Sequence, residues 1–155
     1  MALVIEKARE ATPEVRALIE ELERVLADAY GDDERHGLSL DQLFRPNVHL
    51  FIARLDDTAV GCGGVEIFDG FAEVKRVYAR PAARGLGVAK ALMARVETQA
   101  RDSGVRSLRL ETGTEQTAAI GLYERLGYRP CGPFGAYAAM PAHAIERSLF
   151  FDKEF

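Results

Sequence analysis

Apolar and polar residues follow one another along this chain in patterns that predict both strands and helices. Residues 3–8 form a short β-like opening segment, and Thr12-Pro13-Glu14 predicts a helix start, with a capping threonine before a proline in the first turn. Gly31 predicts the end of that helix. Its apolar face recurs at helical spacing and comprises Leu18, Ile19, Leu22, Val25 and Leu26.

Strand signals dominate the middle of the chain. Asp56-Asp57-Thr58 and Asp69-Gly70 are turn sequences that separate three apolar, β-rich segments at residues 49–55, 59–68 and 71–79. Turns this short join antiparallel neighbours, so the three segments are expected to be adjacent antiparallel strands. A second short helix is predicted before them, over residues 38–44.

The later half of the chain alternates helices and strands. A helix is predicted over residues 85–101, with Val88, Leu92, Val96 and Ala100 on one stripe, and a second helix over residues 117–126 ends at Gly127. The remaining predicted strands span residues 105–111, 128–131 and 145–151. A strand, a helix and a strand over residues 71–111 predict a right-handed crossover between parallel strands.

These elements predict an α+β fold of the three-layer type. One mixed, mostly antiparallel sheet of six to seven strands would be flanked by about four helices. The chain shows no repeat and no linker rich in proline, glycine or serine, so residues 1–155 are expected to form a single domain.

Composition narrows the functional classes. The 155 residues carry 20 Lys and Arg against 24 Asp and Glu, a net charge of −4 that argues against a nucleic-acid partner. Cys62 and Cys131 form no motif, and His36, His49 and His143 lack the spacing of metal ligands, so we expect no metal. No stretch reaches the roughly 20 apolar residues of a membrane span, and the start lacks the pattern of a secretory signal, so a cytoplasmic protein is expected.

The most informative stretch is Arg84-Gly85-Leu86-Gly87-Val88-Ala89, between a predicted strand and a predicted helix. Glycines let a ligand approach the backbone, and unpaired N–H groups at a helix start attract anions such as a pyrophosphate. A Walker loop is excluded because Val88-Ala89-Lys90 stands where Gly-Lys-Ser/Thr is needed, and Lys90 also breaks a dinucleotide fingerprint. On its own the stretch is also compatible with a plain glycine-rich turn.

Two motifs together resemble the GNAT family of N-acyltransferases, small single-domain bacterial members in particular. Arg84, Gly87 and Ala89 fit the family's Arg/Gln-x-x-Gly-x-Gly/Ala phosphate loop, and residues 73–81 resemble the strand that leads into it. Downstream, residues 117–128 resemble the second motif, written A-x-x-LYE-x-x-GF. The resemblance covers about residues 47–152 and implies the GNAT fold.

The resemblance implies acetyl-CoA as the co-substrate. In this family the strand before the loop splays from its parallel neighbour and leaves a V-shaped gap for the pantetheine arm. Gln116 stands where many members carry an asparagine that contacts the cofactor. The cofactor-binding residues implied are Val77, Tyr78, Ala79, Arg84, Gly85, Leu86, Gly87, Val88, Ala89 and Gln116.

The resemblance also implies catalytic roles. Tyr123 occupies the family's general-acid position, although a core aromatic is the alternative. Glu73 and Glu111 are candidates for a base that acts through water. Successive side chains of a strand point to opposite faces, so Glu73, Lys75 and Val77 would share one face. Lys75 could then instead neutralise Glu73 as a surface pair.

The implied reaction is direct attack by the primary amine of a small molecule within a ternary complex. Phe134 and Tyr137 would line the acceptor pocket, or alternatively anchor their loop on the core. Two other functions stay open: acetylation of protein lysines or N-termini, and a non-catalytic acyl-CoA sensor. No membrane partner is expected, and exposed strand edges would permit a homodimer.

Overall fold

The protein is described by a computed structural model that covers residues 2–155. Over these residues the chain forms seven strands and four α-helices, joined by short 3-10 turns. The strands are β1 (Leu3–Ala8), β2 (Val48–Leu55), β3 (Thr58–Ile67), β4 (Ala72–Ala79), β5 (Ser107–Gly113), β6 (Arg129–Cys131) and β7 (Ser148–Glu154). The helices are α1 (Pro13–Ala29), α2 (Val88–Asp102), α3 (Thr117–Arg125) and the short α4 (Ala142–Ile145).

All seven strands belong to one sheet, in the order β1-β2-β3-β4-β5-β7-β6. The β4–β5 pair is parallel and every other neighbouring pair is antiparallel. This arrangement confirms the predicted mixed sheet, the three adjacent antiparallel strands β2, β3 and β4, and the crossover through α2.

Helices cover both faces of the sheet because strand residues alternate between them. In β2, Phe51 packs in the same cluster as α2, whereas Leu50 packs in the cluster of α1. The predicted stripe on α2 is buried along its whole length. On α1, Leu18, Ile19 and Leu22 of the predicted apolar face are buried, Leu26 is half-buried, and Val25 is 38% exposed near the helix end.

Two predicted helix boundaries differ from the structure. The helix predicted from residue 85 begins at Val88, because Gly85 and Gly87 both have φ of +81°, outside the right-handed helical region. The helix predicted over residues 38–44 is wrong, since only Gln42–Phe44 forms a single 3-10 turn. Pro46 disfavours helical backbone at Arg45, whose ψ is 151°.

None of the helices formed by residues 2–155 combines the length and the apolar character that crossing a bilayer requires.

The turn between β2 and β3 consists of two residues in the left-handed region. Asp56 has φ of 48° and Asp57 has φ of 70°. Positive φ at both central positions is typical of the tight turns whose twist matches that of a β-hairpin, and glycine is preferred at the second position.

Replacing Asp57 by glycine should stabilise the protein, because glycine adopts positive φ without a steric cost. We expect Asp57→Gly to raise the free energy of unfolding by about 0.5 kcal/mol, and Asp57→Ala, the matched control, to lower it by a similar amount. Urea denaturation of the three proteins measures both changes. Equal stability of the glycine and alanine variants would contradict a left-handed turn.

Candidate functional site

A cleft opens in the sheet where β4 and β5 diverge. The two strands pair only at Ala72–Leu108 and Glu73–Arg109, although β4 continues to Ala79 and β5 to Gly113. Residues 74–77 line one side of the cleft and residues 110–113 the other. Residues of α3 and of the C-terminal half of α1 complete its walls. The structure thus contains the gap between parallel strands that the sequence resemblance implies.

A β-bulge at Arg76 shapes the β4 side of this cleft. Arg76 has φ of +55°, and the β3–β4 register shifts here, since Gly64 pairs with Lys75 but Cys62 pairs with Tyr78. The extra residue reverses the alternation of side chains. Val77 therefore packs in the α2-face cluster. The predicted common face for Glu73, Lys75 and Val77 is wrong for Val77.

Beyond the bulge, one edge of β4 carries backbone amides without a strand partner. The N–H of Arg80 donates to the carbonyl of Val60 on β3, at 2.8 Å. Because successive amides of a strand point to opposite edges, the N–H groups of Ala79 and Val77 face the cleft. Tyr78 is turned away, since its backbone pairs with β3 and its hydroxyl donates to Glu21, at 3.1 Å.

The glycine loop follows β4 after the 3-10 turn Pro81–Ala83 and leads into α2. Residues 84–87 are exposed, Gly87 caps α2 in a left-handed conformation, and open space surrounds both Gly85 and Gly87. Val88 is buried, so only its backbone is available there. The first N–H groups of α2 are therefore accessible next to Arg84, which is the arrangement that binds phosphate groups.

A buried triad forms the polar floor of the cleft. Tyr137 donates its hydroxyl hydrogen to Glu73, at 2.6 Å, and Lys75 Nζ lies 2.9 Å from the same carboxylate and 3.2 Å from the Tyr137 oxygen. The predicted pairing of Lys75 with Glu73 is confirmed, but its predicted place at the surface is wrong, because Glu73 is 5% exposed and Lys75 9%. Burial and the charge of Glu73 raise the pKa of Tyr137, which stays protonated.

Glu111 lies on the same face of the sheet as the triad and has a different environment. Ser148 on β7 donates its hydroxyl hydrogen to Glu111, at 2.6 Å. Within residues 2–155, no cationic nitrogen lies within 4.0 Å of the Glu111 carboxylate. Burial raises the pKa of Glu111, and the Ser148 hydrogen bond offsets part of that shift.

Tyr123 reaches the cleft from the opposite face. It is 6% exposed, belongs to the α2-face cluster, and its ring meets the ring of Tyr128 edge-on, with the centroids 5.9 Å apart. Burial and the nearby charge of Glu111 raise the pKa of Tyr123. A phenol that keeps its proton and two carboxylates, Glu73 and Glu111, thus approach one cleft from its two sides.

Of the remaining predicted site residues, two line the cleft and one does not. Gln116 lines the cleft at the start of α3, and Tyr137 lines it through the triad. Phe134 lies behind Tyr137, with ring centroids 5.2 Å apart, and packs with Phe150 instead of reaching the cleft.

Sequence reasoning missed Tyr30, which ends α1 and forms part of the cleft wall. Its hydroxyl accepts a hydrogen bond from the N–H of Glu115, at 2.8 Å, and its side chain lies directly on Gly113. Arg147 stacks on the Tyr30 ring, 4.7 Å from its centroid. The signal for this contact was the glycine of the Leu-Glu-Thr-Gly run, because a close approach of another side chain often requires glycine.

Comparisons with known proteins agree with this geometry. The sequence profile of the acetyltransferase (GNAT) family matches residues 14–128. The IAA acetyltransferase of Azospirillum brasilense is 41% identical over 138 residues, which cover 88% of this chain and 87% of that protein. A Klebsiella pneumoniae structure assigned as an acyl-CoA N-acyltransferase superposes with a TM-score of 0.82 at 34% identity, over 98% of this chain and 97% of that one.

A more distant structure has the same fold. The PaiA N-acetyltransferase of Thermoplasma acidophilum, solved in complex with coenzyme A, superposes over 100% of both chains with a TM-score of 0.75 at 17% identity.

The contact between Tyr30 and Gly113 leaves no room for a side chain at position 113. A methyl group at Gly113 would overlap the Tyr30 hydroxyl, so Gly113→Ala should lower the free energy of unfolding by about 2 kcal/mol. Urea denaturation measures the loss. Gly132→Ala is the matched control, because open space surrounds Gly132 and neither glycine has positive φ.

A double-mutant cycle tests the cause of this loss. In a Tyr30→Ala background the overlap is absent, and Gly113→Ala should cost less than about 0.5 kcal/mol. The same loss in both backgrounds would show that Tyr30 does not constrain position 113.

Proposed function

Because the chain belongs to the acetyltransferase (GNAT) family and is therefore an acyltransferase, we propose that it transfers an acetyl group from acetyl-CoA to the primary amine of a small molecule. The observation that carries this proposal is the divergence of β4 from β5 after two residue pairs, next to an open glycine loop. The cleft joins an anion site, unpaired backbone amides and titratable side chains.

The fit of the co-substrate rests on two parts of the cleft edge. The accessible N–H groups of residues 85–89 and the Arg84 guanidinium suit a pyrophosphate. The cleft-facing amides of Val77 and Ala79 suit the amide groups of a pantetheine arm, and Gln116 lies across the cleft from them. Coenzyme A in the fold relative PaiA supports this choice of ligand.

When acetyl-CoA is bound it supplies the thioester that an amine attacks, with a C–N bond forming and the C–S bond breaking. The N–H near Val77 would stabilise the negative charge that develops on the carbonyl oxygen. Tyr123 would donate its proton to the departing sulfur, since its raised pKa keeps the phenol protonated until the transfer. A cleft carboxylate would take the proton that the ammonium must lose before attack.

Of the two carboxylates, Glu111 suits the role of base better than Glu73. Glu73 already accepts hydrogen bonds from Lys75 and Tyr137, so its carboxylate is occupied by contacts within the fold. Glu111 accepts only from Ser148, and a raised pKa brings proton uptake closer to neutral pH. Glu73 would then hold the floor of the cleft in place.

The walls of the cleft favour a small acceptor over a protein substrate. Leu22, Leu26 and Tyr30 of α1, together with residues 34–37, wall the side that the triad faces. A polypeptide needs a groove that is open along its length, and these walls occupy one side of the polar floor. Tyr123 and the carboxylates within one cleft also favour catalysis over a sensor that only binds acyl-CoA.

Acetyl-CoA binding tests the glycine loop. We expect isothermal titration to show one site per chain, and Gly87→Glu to weaken binding by roughly 100-fold, because a carboxylate would meet the pyrophosphate. Gly104→Glu at the other end of α2 is the matched control: its φ is +84° against +81° at Gly87, and open space surrounds both. It should bind as the unmodified chain does.

Unchanged affinity in Gly87→Glu would contradict the assignment of the loop. Equal losses in the two variants would point to a disturbed α2 instead of a lost phosphate site.

Removing the Tyr123 hydroxyl tests the general acid. Tyr123→Phe should lower kcat by about 100-fold with acetyl-CoA affinity unchanged, because only proton donation to the sulfur is lost. Tyr128→Phe is the control, since the buried Tyr128 hydroxyl has no hydrogen-bond partner among residues 2–155. Release of free thiol reports turnover. Equal kcat in both variants would exclude Tyr123 as the acid.

A further inference from the structure

The positively charged side chains that line the cleft are already paired with carboxylates. Lys75 is bound to Glu73, Arg76 to Glu23, and Arg35 to both Glu23 and Asp32. No lining cation in the described part of the chain is therefore left to bind a negatively charged acceptor group. The acceptor would have to displace one of these ion pairs to place a carboxylate there.

The acidic side chains are paired as well, with one exception. Glu73 belongs to the triad, and Glu34 accepts from the N–H of Gly31 at 2.8 Å and lies 3.5 Å from Arg147. Glu111 has the Ser148 hydroxyl on one carboxylate oxygen and, across residues 2–155, no ion-pair partner. Among the described residues that line the cleft, Glu111 is thus the one acid without a cationic partner. Its negative charge favours a positively charged acceptor.

The rest of the cleft lining carries no charge. It combines the polar side chains of Thr112 and Gln116 with the hydrocarbon surface of Leu22, Leu26 and the Tyr30 ring. The Nε2 atom of His36 is not free to contact a substrate, because it is hydrogen-bonded to the carbonyl of Ala144 at 2.7 Å. A substrate body beyond the ammonium would therefore contact uncharged surface, part of it hydrocarbon.

We propose that the acceptor is a primary amine with one positive charge on an otherwise uncharged body, held with its ammonium against Glu111. This inference rests on the proposed acetyl transfer and narrows its acceptor. Glu111 would bind the ammonium first and take its proton afterwards, which leaves the neutral amine beside the thioester. A second charge of either sign on the acceptor would enter the cleft without a partner, and burying an unpaired charge is costly.

Matched amines test the charge rule through thiol release from acetyl-CoA. 2-Phenylethylamine is compared with phenylalanine, which adds a carboxylate, and hexylamine with 1,6-diaminohexane, which adds a second ammonium. We expect kcat/KM to be more than about tenfold higher for the monoamine of each pair. Equal or reversed values would overturn the inference while leaving the proposed function standing, because thiol would still be released.

A variant separates recognition from chemistry. Glu111→Gln keeps the shape and removes the charge, so titration of 2-phenylethylamine into protein saturated with coenzyme A should show roughly tenfold weaker binding. Glu20→Gln on the exposed side of α1 is the control and should bind as the unmodified chain does. Unchanged binding in Glu111→Gln would overturn the assignment of the ammonium site.

The proposed function fails in a different way. If the protein binds acetyl-CoA but releases no thiol with any of the four amines, acetyl transfer to small amines is overturned, and the inference falls with it.

Discussion

The early separation of β4 from β5 is the constraint on which the rest of the molecule depends. A sheet normally pairs its backbone amides along the whole strand, and leaving them unpaired inside a protein is costly. Here pairing stops after Glu73, and the bulge at Arg76 re-aims the strand. The guanidinium of Arg76 contacts Gly37, donates to the carbonyl of Leu38 at 2.9 Å and pairs with Glu23. These contacts hold a left-handed arginine that isolated backbone would disfavour.

The chemistry of the cleft follows from that bulge. Because one extra residue reverses the alternation, Lys75 and Arg76 both face α1, while Val77 turns to the α2 face. Lys75, which precedes the bulge, joins Glu73 and Tyr137 in a closed triad, and the bulge adds Arg76 to the same face. The amides of Val77 and Ala79 stay free along the cleft edge. A regular strand would have placed Val77 against the triad and would have removed one polar group from the floor.

Sequence reasoning succeeded where the signal was local. Thr12, Asp56-Asp57 and Gly127 act within a few residues, and the cap, hairpin and helix end they predict are all present. It failed where contacts between residues far apart in the sequence determine the backbone conformation. The bulge depends on Arg76 reaching Glu23, and the wall depends on Tyr30 resting on Gly113. Spacing along the chain does not encode contacts of that kind, although the glycine in Leu-Glu-Thr-Gly marked where one would fall.

The two cleft carboxylates differ in how far the fold compensates their negative charge. Glu73 is stabilised by a lysine and a tyrosine, so its charge is compensated within the fold. Glu111 has one hydroxyl donor, and burying an ionised carboxylate with so little compensation destabilises a protein. One hydrogen bond from a neutral hydroxyl offsets only part of that cost, so the fold gains little from a carboxylate at position 111. An incoming ammonium would supply the missing partner, which makes the cost of Glu111 to the free protein a contribution to acceptor binding.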